Sequence, residues 1–158
     1  MKKHKVGLGF DVHCFSKAKK DLVLGGVVIP ALFSLKAVSD GDVILHAVSD
    51  ALCGAAGLGD IGDYFSPQDK KSIGLDSKKI VKFILGKVNK KFKISNIDIT
   101  IITEKPKLVS YKKKIVESLK EILSVSAVNL KIKSKEGLDI LGSKNAISCI
   151  AAVLLTAL

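Results

Sequence analysis

The chain has 158 residues, a length typical of one domain, and its 26 basic residues, all lysine, outweigh 15 acidic ones to give a formal net charge of +11. A composition of 47% hydrophobic and 26% charged residues excludes the disordered and fibrous classes, and no apolar run reaches the roughly 18–20 residues that a transmembrane helix needs. Because lysine lacks the bidentate guanidinium of arginine, the sequence argues against a nucleic-acid-binding module even at this charge.

The first half of the chain predicts a strand, a hairpin and a helix, in that order. The strand is predicted at Val6–His13, where glycines keep one side small, and a hairpin over residues 22–29 turns at two adjacent glycines. Residues 31–38 are predicted to form a loop. A helix is then expected from Ser39 to about Ala56, with Ser39 as its cap and acidic residues in the first turn.

The second half predicts further helices and strands. These are a helix at Ser77–Lys91, a strand at Ile97–Ile101, a helix with Ile115, Leu119 and Ile122 on one face, and a strand at Leu130–Lys133. The apolar tail, Ala146–Leu158, fits a buried strand or a buried helix equally well, because periodicity cannot separate the two. Together the elements predict a single domain over residues 1–158, an α+β or α/β sandwich with helices on one face.

The charge distribution marks one region of the chain. No lysine occurs between Lys36 and Lys70, whereas six aspartates lie in that interval: Asp40, Asp42, Asp50, Asp60, Asp63 and Asp69. An acidic region in a basic chain suggests a bound cation. The surrounding lysines would then suit a polyanionic ligand, such as a diphosphate, that bridges the metal and the protein.

Two of the three histidines lie where they could bind a metal. Asp11 and His13 are two residues apart on the predicted strand and so share a face, and His46 shares a helical face with Asp42 and Asp50. Two histidines and one carboxylate, with a fourth position open, are typical of a catalytic zinc site. Asp42 and Asp50 could orient His46. The alternative is a local hydrogen-bonded Asp–His pair without a metal.

The cysteines indicate the compartment. Cys14, Cys53 and Cys149 are odd in number and far apart, which is typical of reduced thiols in a cytosol-like compartment. The first residues show no long apolar stretch with a small-residue cleavage site, so a secretory signal is not expected. By strand alternation Cys14 points away from His13, and we expect it to be packed rather than to bind a metal.

Taken together, these segments resemble one family, the 2-C-methyl-D-erythritol 2,4-cyclodiphosphate synthases of the non-mevalonate isoprenoid pathway. The matching stretches are residues 9–13, 25–30, 39–43, 46–47, 50–52, 59–62, 100–102, 106–107 and 136–138. Their order and spacing hold over essentially the whole chain. The resemblance implies a small mixed sheet backed by helices, a homotrimer with active sites between subunits, and a last segment that pairs as a strand facing the trimer interior.

The resemblance also implies the chemistry. Asp11, His13 and His46 would bind a divalent metal, commonly Zn²⁺, and Glu136 would lie near a second metal, Mg²⁺ or Mn²⁺, that bridges the diphosphate. The substrate would be 4-CDP-2-C-methyl-D-erythritol 2-phosphate, whose 2-phosphate attacks the β-phosphorus and releases CMP. Positioning two anions and neutralising their repulsion would be the main task, since the nucleophile is already anionic.

The resemblance assigns further residues to substrate binding. The methylerythritol end would contact Asp60, Ile61, Gly62, Phe65 and Asp69, and the cytidine end Thr103, Pro106, Lys107, Leu108, Val109, Lys133, Ser134, Lys135 and Glu136. The remaining substrate contacts implied are Asp11, His13, Ser39, Ile140 and Ser143. Ser134 would keep a catalytic hydroxyl in a stretch where the family has threonines.

Two departures from the family pattern bear on turnover. Val38 stands where the family usually has a phosphate-contacting histidine, and Ser143, with Lys144 adjacent, replaces the usual arginine. Losing one transition-state donor costs on the order of 10²–10³ in rate. The alternative hypothesis is therefore a low-turnover trimeric protein that binds a cytidine nucleotide or an isoprenoid diphosphate. A bacterial cytosol is the expected location, and a mature plastid form would look the same.

Overall fold

The computed structural model describes residues 3–158 and has the α+β architecture expected from the sequence. Its strands are β1 (His4–Ser16), β2 (Leu22–Leu24), β3 (Val27–Ile29), β4 (Ser34–Leu35), β5 (Phe92–Ile102), β6 (Val128–Lys133) and β7 (Ala146–Ala157). Its helices are α1 (Val43–Ala56), α2 (Ser77–Val88) and α3 (Lys112–Leu123), with 3-10 turns at Ile61–Asp63, Lys70–Ser72 and Val109–Tyr111. Over the described residues, no helix combines the length and apolar character needed to span a bilayer.

One mixed sheet organises the molecule. Its strand order is β4-β1-β7-β5-β6, in which only β5 and β6 run parallel, and β2 and β3 form a separate hairpin. The tail of the chain forms β7, which is hydrogen-bonded on both sides, to β1 and to β5. A strand with two neighbours satisfies its backbone hydrogen-bonding groups along its whole length. The tail is therefore a strand, although its periodicity alone did not distinguish a strand from a helix.

Glycines let α1 pack directly onto β1. A Cβ on Gly7 would lie 1.9 Å from the carbonyl oxygen of Ala51, and a Cβ on Gly9 would lie 1.9 Å from that of Ala47. Only glycine allows this approach, as the small side of the predicted strand suggested. Asp11 and His13 follow on the same face of β1, so the packing directs both side chains toward the helix.

The start of α1 differs from the expectation. The helix begins at Val43 and its N-cap is Asp42, whose carboxylate accepts from the backbone N–H groups of Ile44 and Leu45. The prediction that Ser39 caps the helix is wrong because Gly41, with φ of 79°, takes a left-handed conformation that interrupts the helical path. Asp42 also accepts from the N–H groups of the two hairpin glycines, which fastens β2–β3 to the helix start.

Several other boundaries shift by a few residues. β1 and β5 are longer than expected, and β5 contains an irregularity between Ile94 and Asn96. The stretch 31–38, predicted as a loop, contains the short edge strand β4, which pairs with the end of β1. α2 ends at Val88, because Asn89 caps its last turn. Strand ends and helix ends depend on pairing and caps that periodicity does not report.

Candidate functional site

Three side chains from two elements converge between β1 and α1. Asp11 Oδ2 lies 3.0 Å from His13 Nε2 and 2.9 Å from His46 Nδ1, and the two ring nitrogens are 3.4 Å apart. Within residues 3–158, these are the residues grouped closely enough to hold a metal ion. Ligand atoms about 2.0–2.2 Å from a tetrahedral zinc lie roughly 3.3–3.6 Å from one another. The His13–His46 separation of 3.4 Å lies in this range, and the two separations from Asp11, 3.0 and 2.9 Å, are a few tenths of an ångström shorter.

The orientation of His13 suits a metal ligand. Its Nδ1 lies 3.0 Å from the backbone carbonyl oxygen of Lys36. A carbonyl oxygen only accepts hydrogen bonds, so Nδ1 carries a proton, and Nε2 is the nitrogen whose lone pair a bound metal ion would use. That lone pair belongs to the atom nearest Asp11, which is the pattern of a histidine held ready for a cation.

The electrostatics of the group also favour a cation. Burial would raise the pKa of Asp11, but contacts with His13 and His46 outweigh it and hold the pKa of this carboxyl well below its usual range. Burial would lower the pKa of His46, but the carboxylate of Asp11 outweighs that and leaves the imidazole pKa raised. Asp11 therefore keeps its negative charge and attracts positive charge to this point.

A cavity of about 350 Å³ opens beside the histidines. Its lining is mostly apolar and includes, besides His13, five residues that the resemblance assigned to the substrate or to its phosphate loop: Val38, Ser39, Ile61, Gly62 and Phe65. Val38 is 42% exposed. Asp60 and Asp69 instead cap short turns, accepting from the backbone N–H groups of Asp63 and Lys71 respectively.

The residues expected to bind the cytidine end of the substrate do not line this cavity. They follow the adjacent ends of the parallel strands β5 and β6, where Thr103 N–H donates to the carbonyl oxygen of Lys133 and Glu104 accepts from the N–H of Lys135. Ser134 donates to Glu136. Most of these side chains are at least partly exposed, with Thr103, Leu108 and Lys135 buried.

Lys135, which the resemblance assigned to the cytidine end, is enclosed by protein. Its side chain is fully buried, and its Nζ donates to the carbonyl oxygens of Gly142 and Ser143 at 3.2 and 2.7 Å. A Cβ on Gly142 would lie 2.8 Å from Val12 Cγ2. Since Val12 points to the opposite face of β1 from Asp11 and His13, this loop lies across the sheet from the three converging side chains.

The aspartates in the lysine-free stretch between Lys36 and Lys70 mainly accept hydrogen bonds from backbone N–H groups. Asp42 bonds backbone N–H groups, and Asp50 accepts from the N–H of Ile61 at 2.9 Å. Neither carboxylate is hydrogen-bonded to the imidazole of His46, so the expectation that they orient this ring is wrong. Cys14, expected to be packed, is exposed on the other face of β1.

The partners of His46 were missed by the sequence reasoning. Its Nε2 lies 2.9 Å from Ser77 Oγ and 3.3 Å from Ser39 Oγ, and Ser77 in turn contacts Asp40. Ser77 is 31 positions from His46 and follows a capping aspartate at the start of α2, so no local pattern marks it. Only the packing of α2 against α1 brings it to the site.

Comparison with known proteins identifies the family. The sequence model described as the YgbB family matches residues 4–156. The chain belongs to the YgbB family. This confirms the resemblance to the cyclodiphosphate synthases, because a Treponema denticola protein of that name is 41% identical over 96% of this chain and 95% of its own length. A Cellvibrio japonicus protein of the same name is 42% identical over 96% of both chains.

Some relatives of this chain are bifunctional enzymes. A "Bifunctional enzyme IspD/IspF" of Campylobacter hominis is 47% identical over 92% of this chain, which spans 39% of that protein. The solved bifunctional IspDF of Campylobacter jejuni superposes with a TM-score of 0.93 at 35% identity, covering 100% of this chain and 43% of the other. A solved synthase described as the CDP-bound form has a TM-score of 0.84 at 32% identity, covering 96% and 99%.

Proposed function

We propose that this chain converts 4-CDP-2-C-methyl-D-erythritol 2-phosphate to 2-C-methyl-D-erythritol 2,4-cyclodiphosphate and CMP, a phosphorus–oxygen lyase step in isoprenoid precursor biosynthesis. The observation that carries the proposal is the convergence of Asp11, His13 and His46 beside the cavity. Relatives that match over their whole length are named as this synthase. A relative described as the CDP-bound form supports a cytidine diphosphate group in the substrate.

The residues present suit a reaction that needs positioning more than proton transfer. An oxygen of the 2-phosphate attacks the β-phosphorus, that bond forms, and the bond between the β-phosphorus and the bridging oxygen breaks as CMP leaves with the electron pair. A divalent ion such as Zn²⁺ at Asp11, His13 and His46 would supply Lewis-acid polarisation of a phosphate oxygen. The chain holds both anions in reach of each other, which lowers the entropic part of the barrier.

The cavity fits the methylerythritol end of this substrate. Ile61 and Phe65 supply apolar walls that suit the methyl-bearing carbon skeleton, and Ser39 supplies a hydroxyl near His46. Val38 supplies apolar surface and no hydrogen-bond donor. Since relatives at 41–42% identity over their full length are named as synthases, the low-turnover binding protein is the less favoured alternative.

We further propose that the functional unit is a homotrimer with shared active sites. Cytidine would be bound by Thr103–Val109 and Lys133–Glu136 of one subunit, with Glu136 at a second metal, Mg²⁺ or Mn²⁺, and Ile140 and Ser143 on the same loop. The loop that carries Ile140 and Ser143 lies across the sheet from Asp11 of its own chain, since Gly142 lies against Val12 on the opposite face of β1. A neighbouring subunit would therefore complete the site. An apolar strip on β1, with Val6 73%, Leu8 70% and Phe10 44% exposed, supports packing of this face against another copy.

We place the activity in a bacterial cytosol. In the described part of the chain all three cysteines, Cys14, Cys53 and Cys149, are free thiols. Reducing compartments maintain cysteines in this state. The full-length relatives named above come from bacteria.

A ³¹P NMR time course tests the proposed reaction. Purified protein with the cytidine-linked 2-phosphate, Zn²⁺ and Mg²⁺ should release CMP and form a cyclic diphosphate, and a chelated sample should not. His46→Ala should lose both metal and turnover. Full activity after all metal is removed would overturn the proposal, and unchanged substrate with binding still detectable would favour the binding protein.

A further inference from the structure

Ser77 at the start of α2 is placed to act on the metal site rather than on its own helix. It is fully buried, and its Oγ lies 2.5 Å from Asp40 Oδ1 and 2.9 Å from His46 Nε2. Its backbone N–H donates to Asp40 Oδ2 at 2.9 Å. The cap of α2 is Asp76, which accepts from the N–H of Lys78, so the helix does not need the serine hydroxyl.

The direction of these hydrogen bonds determines the tautomer of His46. An ionised carboxylate only accepts, so the Ser77 hydroxyl donates to Asp40. The serine oxygen can then only accept from the imidazole, which places the proton of the neutral ring on Nε2. In the metal-bound state the lone pair is then left on Nδ1, the atom that lies 2.9 Å from Asp11 Oδ2 and 3.4 Å from His13 Nε2, whereas without a metal this nitrogen donates to the Asp11 carboxylate.

Ser39 contributes less to this arrangement. Its Oγ lies 3.3 Å from His46 Nε2 and accepts from the N–H of Gly41, and the residue lines the cavity. Ser77 has the shorter contact and is enclosed by protein. His46 itself is 8% exposed, so water cannot readily replace a lost serine partner.

We propose that Asp40 and Ser77 are positioning residues that hold His46 in its metal-binding tautomer and thereby raise the metal affinity of Asp11, His13 and His46. The inference rests on the proposed function only in that a divalent ion binds at these three residues. Partners that orient a metal-bound histidine typically contribute 10–100-fold, as an order of magnitude, in metal affinity. The pair also couples the start of α2 to the site, although α2 supplies no metal ligand of its own.

Metal titration tests the proposal without substrate. Metal-free protein is titrated with Co²⁺ against a competing chelator, and Ser77→Ala should weaken binding by roughly 10–100-fold. Asp40→Asn should weaken it in the same direction, whereas Ser77→Thr, which keeps the hydroxyl, should stay close to the parent. Ser118→Ala is the matched control, because it removes a single hydroxyl contact, to the carbonyl oxygen of Gly25, away from the site.

A second readout separates orientation from a general loss of structure. In ¹⁵N-labelled metal-free protein, at a pH well above the imidazole pKa, Ser77 and Asp11 compete to accept the single ring proton of His46, so Ser77→Ala should shift that proton from Nε2 toward Nδ1. Unchanged cobalt affinity and an unchanged tautomer in folded Ser77→Ala would overturn the inference. If Ser77→Ala does not fold, Asp40→Asn gives the same comparison. Normal metal binding without CMP release would contradict the proposed function alone.

Discussion

Gly9 of β1 lies so close under Ala47 of α1 that a Cβ on the glycine would sit 1.9 Å from the alanine carbonyl oxygen. His46 precedes Ala47 on the helix, and Asp11 follows Gly9 by two positions on the same face of the strand. The close approach of the two backbones therefore sets the 2.9 Å distance between Asp11 Oδ2 and His46 Nδ1. The candidate metal site therefore depends on this packing as much as on its three side chains.

Gly9→Ala should move α1 away from β1 and separate the ligands. We expect the free energy of unfolding to fall by roughly 1–3 kcal/mol, the usual cost of overpacking, and zinc affinity to fall by about tenfold or more. Thermal unfolding and a zinc titration measure the two effects. In Gly86→Ala the new Cβ meets nothing within 4 Å on α2, so this control should gain up to about 1 kcal/mol. Unaltered zinc affinity in Gly9→Ala would count against the link.

Asp42→Ala should be among the most destabilising single substitutions in the chain. The buried carboxylate accepts from four backbone N–H groups, two at the start of α1 and two in the β2–β3 turn. Loss of an N-cap lowers the free energy of unfolding by about 1 kcal/mol, and each buried N–H left without an acceptor lowers it by about 1–3 kcal/mol. Urea unfolding should therefore show a loss above about 3 kcal/mol, against about 1 kcal/mol for the single-contact cap removed in Asp76→Ala. Equal losses in the two variants would refute this role.

Asp11 and His46 should make the stability of the metal-free protein depend on pH. The lowered pKa of Asp11 contributes stability above its unfolded value of 3.8, and this is lost as pH falls through the folded value. The raised pKa of His46 contributes stability that is complete below its unfolded value of 6.5 and is lost as pH rises through the folded value. The pair thus stabilises most between about pH 4 and 6.5.

Asp11→Asn measures this window directly. Its destabilisation relative to the parent, from urea unfolding in chelator at several pH values, should be largest inside the window and smaller on both sides. With zinc present the parent should instead gain stability as pH rises, because protons no longer compete for the imidazole nitrogens. A difference that does not vary with pH would show that the ion pair contributes nothing.

Lys135→Met should loosen the loop that carries Ser143. The ammonium group donates to the carbonyl oxygens of Gly142 and Ser143, and burial lowers the pKa of this lysine. Without it we expect a loss of about 1–2 kcal/mol and faster amide hydrogen exchange in the loop. Lys133→Met, at an exposed position on β6, is the matched control and should leave exchange unchanged. Equal exchange in both variants would show that the buried ammonium does not restrain the loop.

Val38→His should raise turnover if the missing donor limits the rate. The position is 42% exposed and lines the cavity beside His13, so a histidine there could reach a bound phosphate. A restored transition-state donor would raise kcat by up to about 10²-fold with little change in KM. Val38→Leu, which adds volume without a donor, is the control. Equal kcat in the two variants would show that turnover does not depend on a donor at this position.

The sequence was enough to select Asp11, His13 and His46 as candidate metal-binding residues, because their geometry is largely local. Strand alternation places Asp11 and His13 on one face whatever the rest of the fold does. Helical periodicity is equally local, so a helix that holds His46 could be recognised from its own sequence. The hairpin about Gly25 follows for the same reason, since its turn requires residues that tolerate positive φ, here 59° and 76°.

Tertiary packing decided which polar groups meet. Asp42 and Asp50 share the helical face of His46, yet they bond backbone N–H groups, whereas Ser77, 31 positions away, contacts the ring. The tail became β7 only because strands on both sides could pair with it. Side-chain partners and strand pairings are long-range properties, and they depend on where α2 and the sheet are placed rather than on any local pattern. The sequence by itself identified the candidate metal-binding residues, and the packing of α1 and α2 determined how they are held.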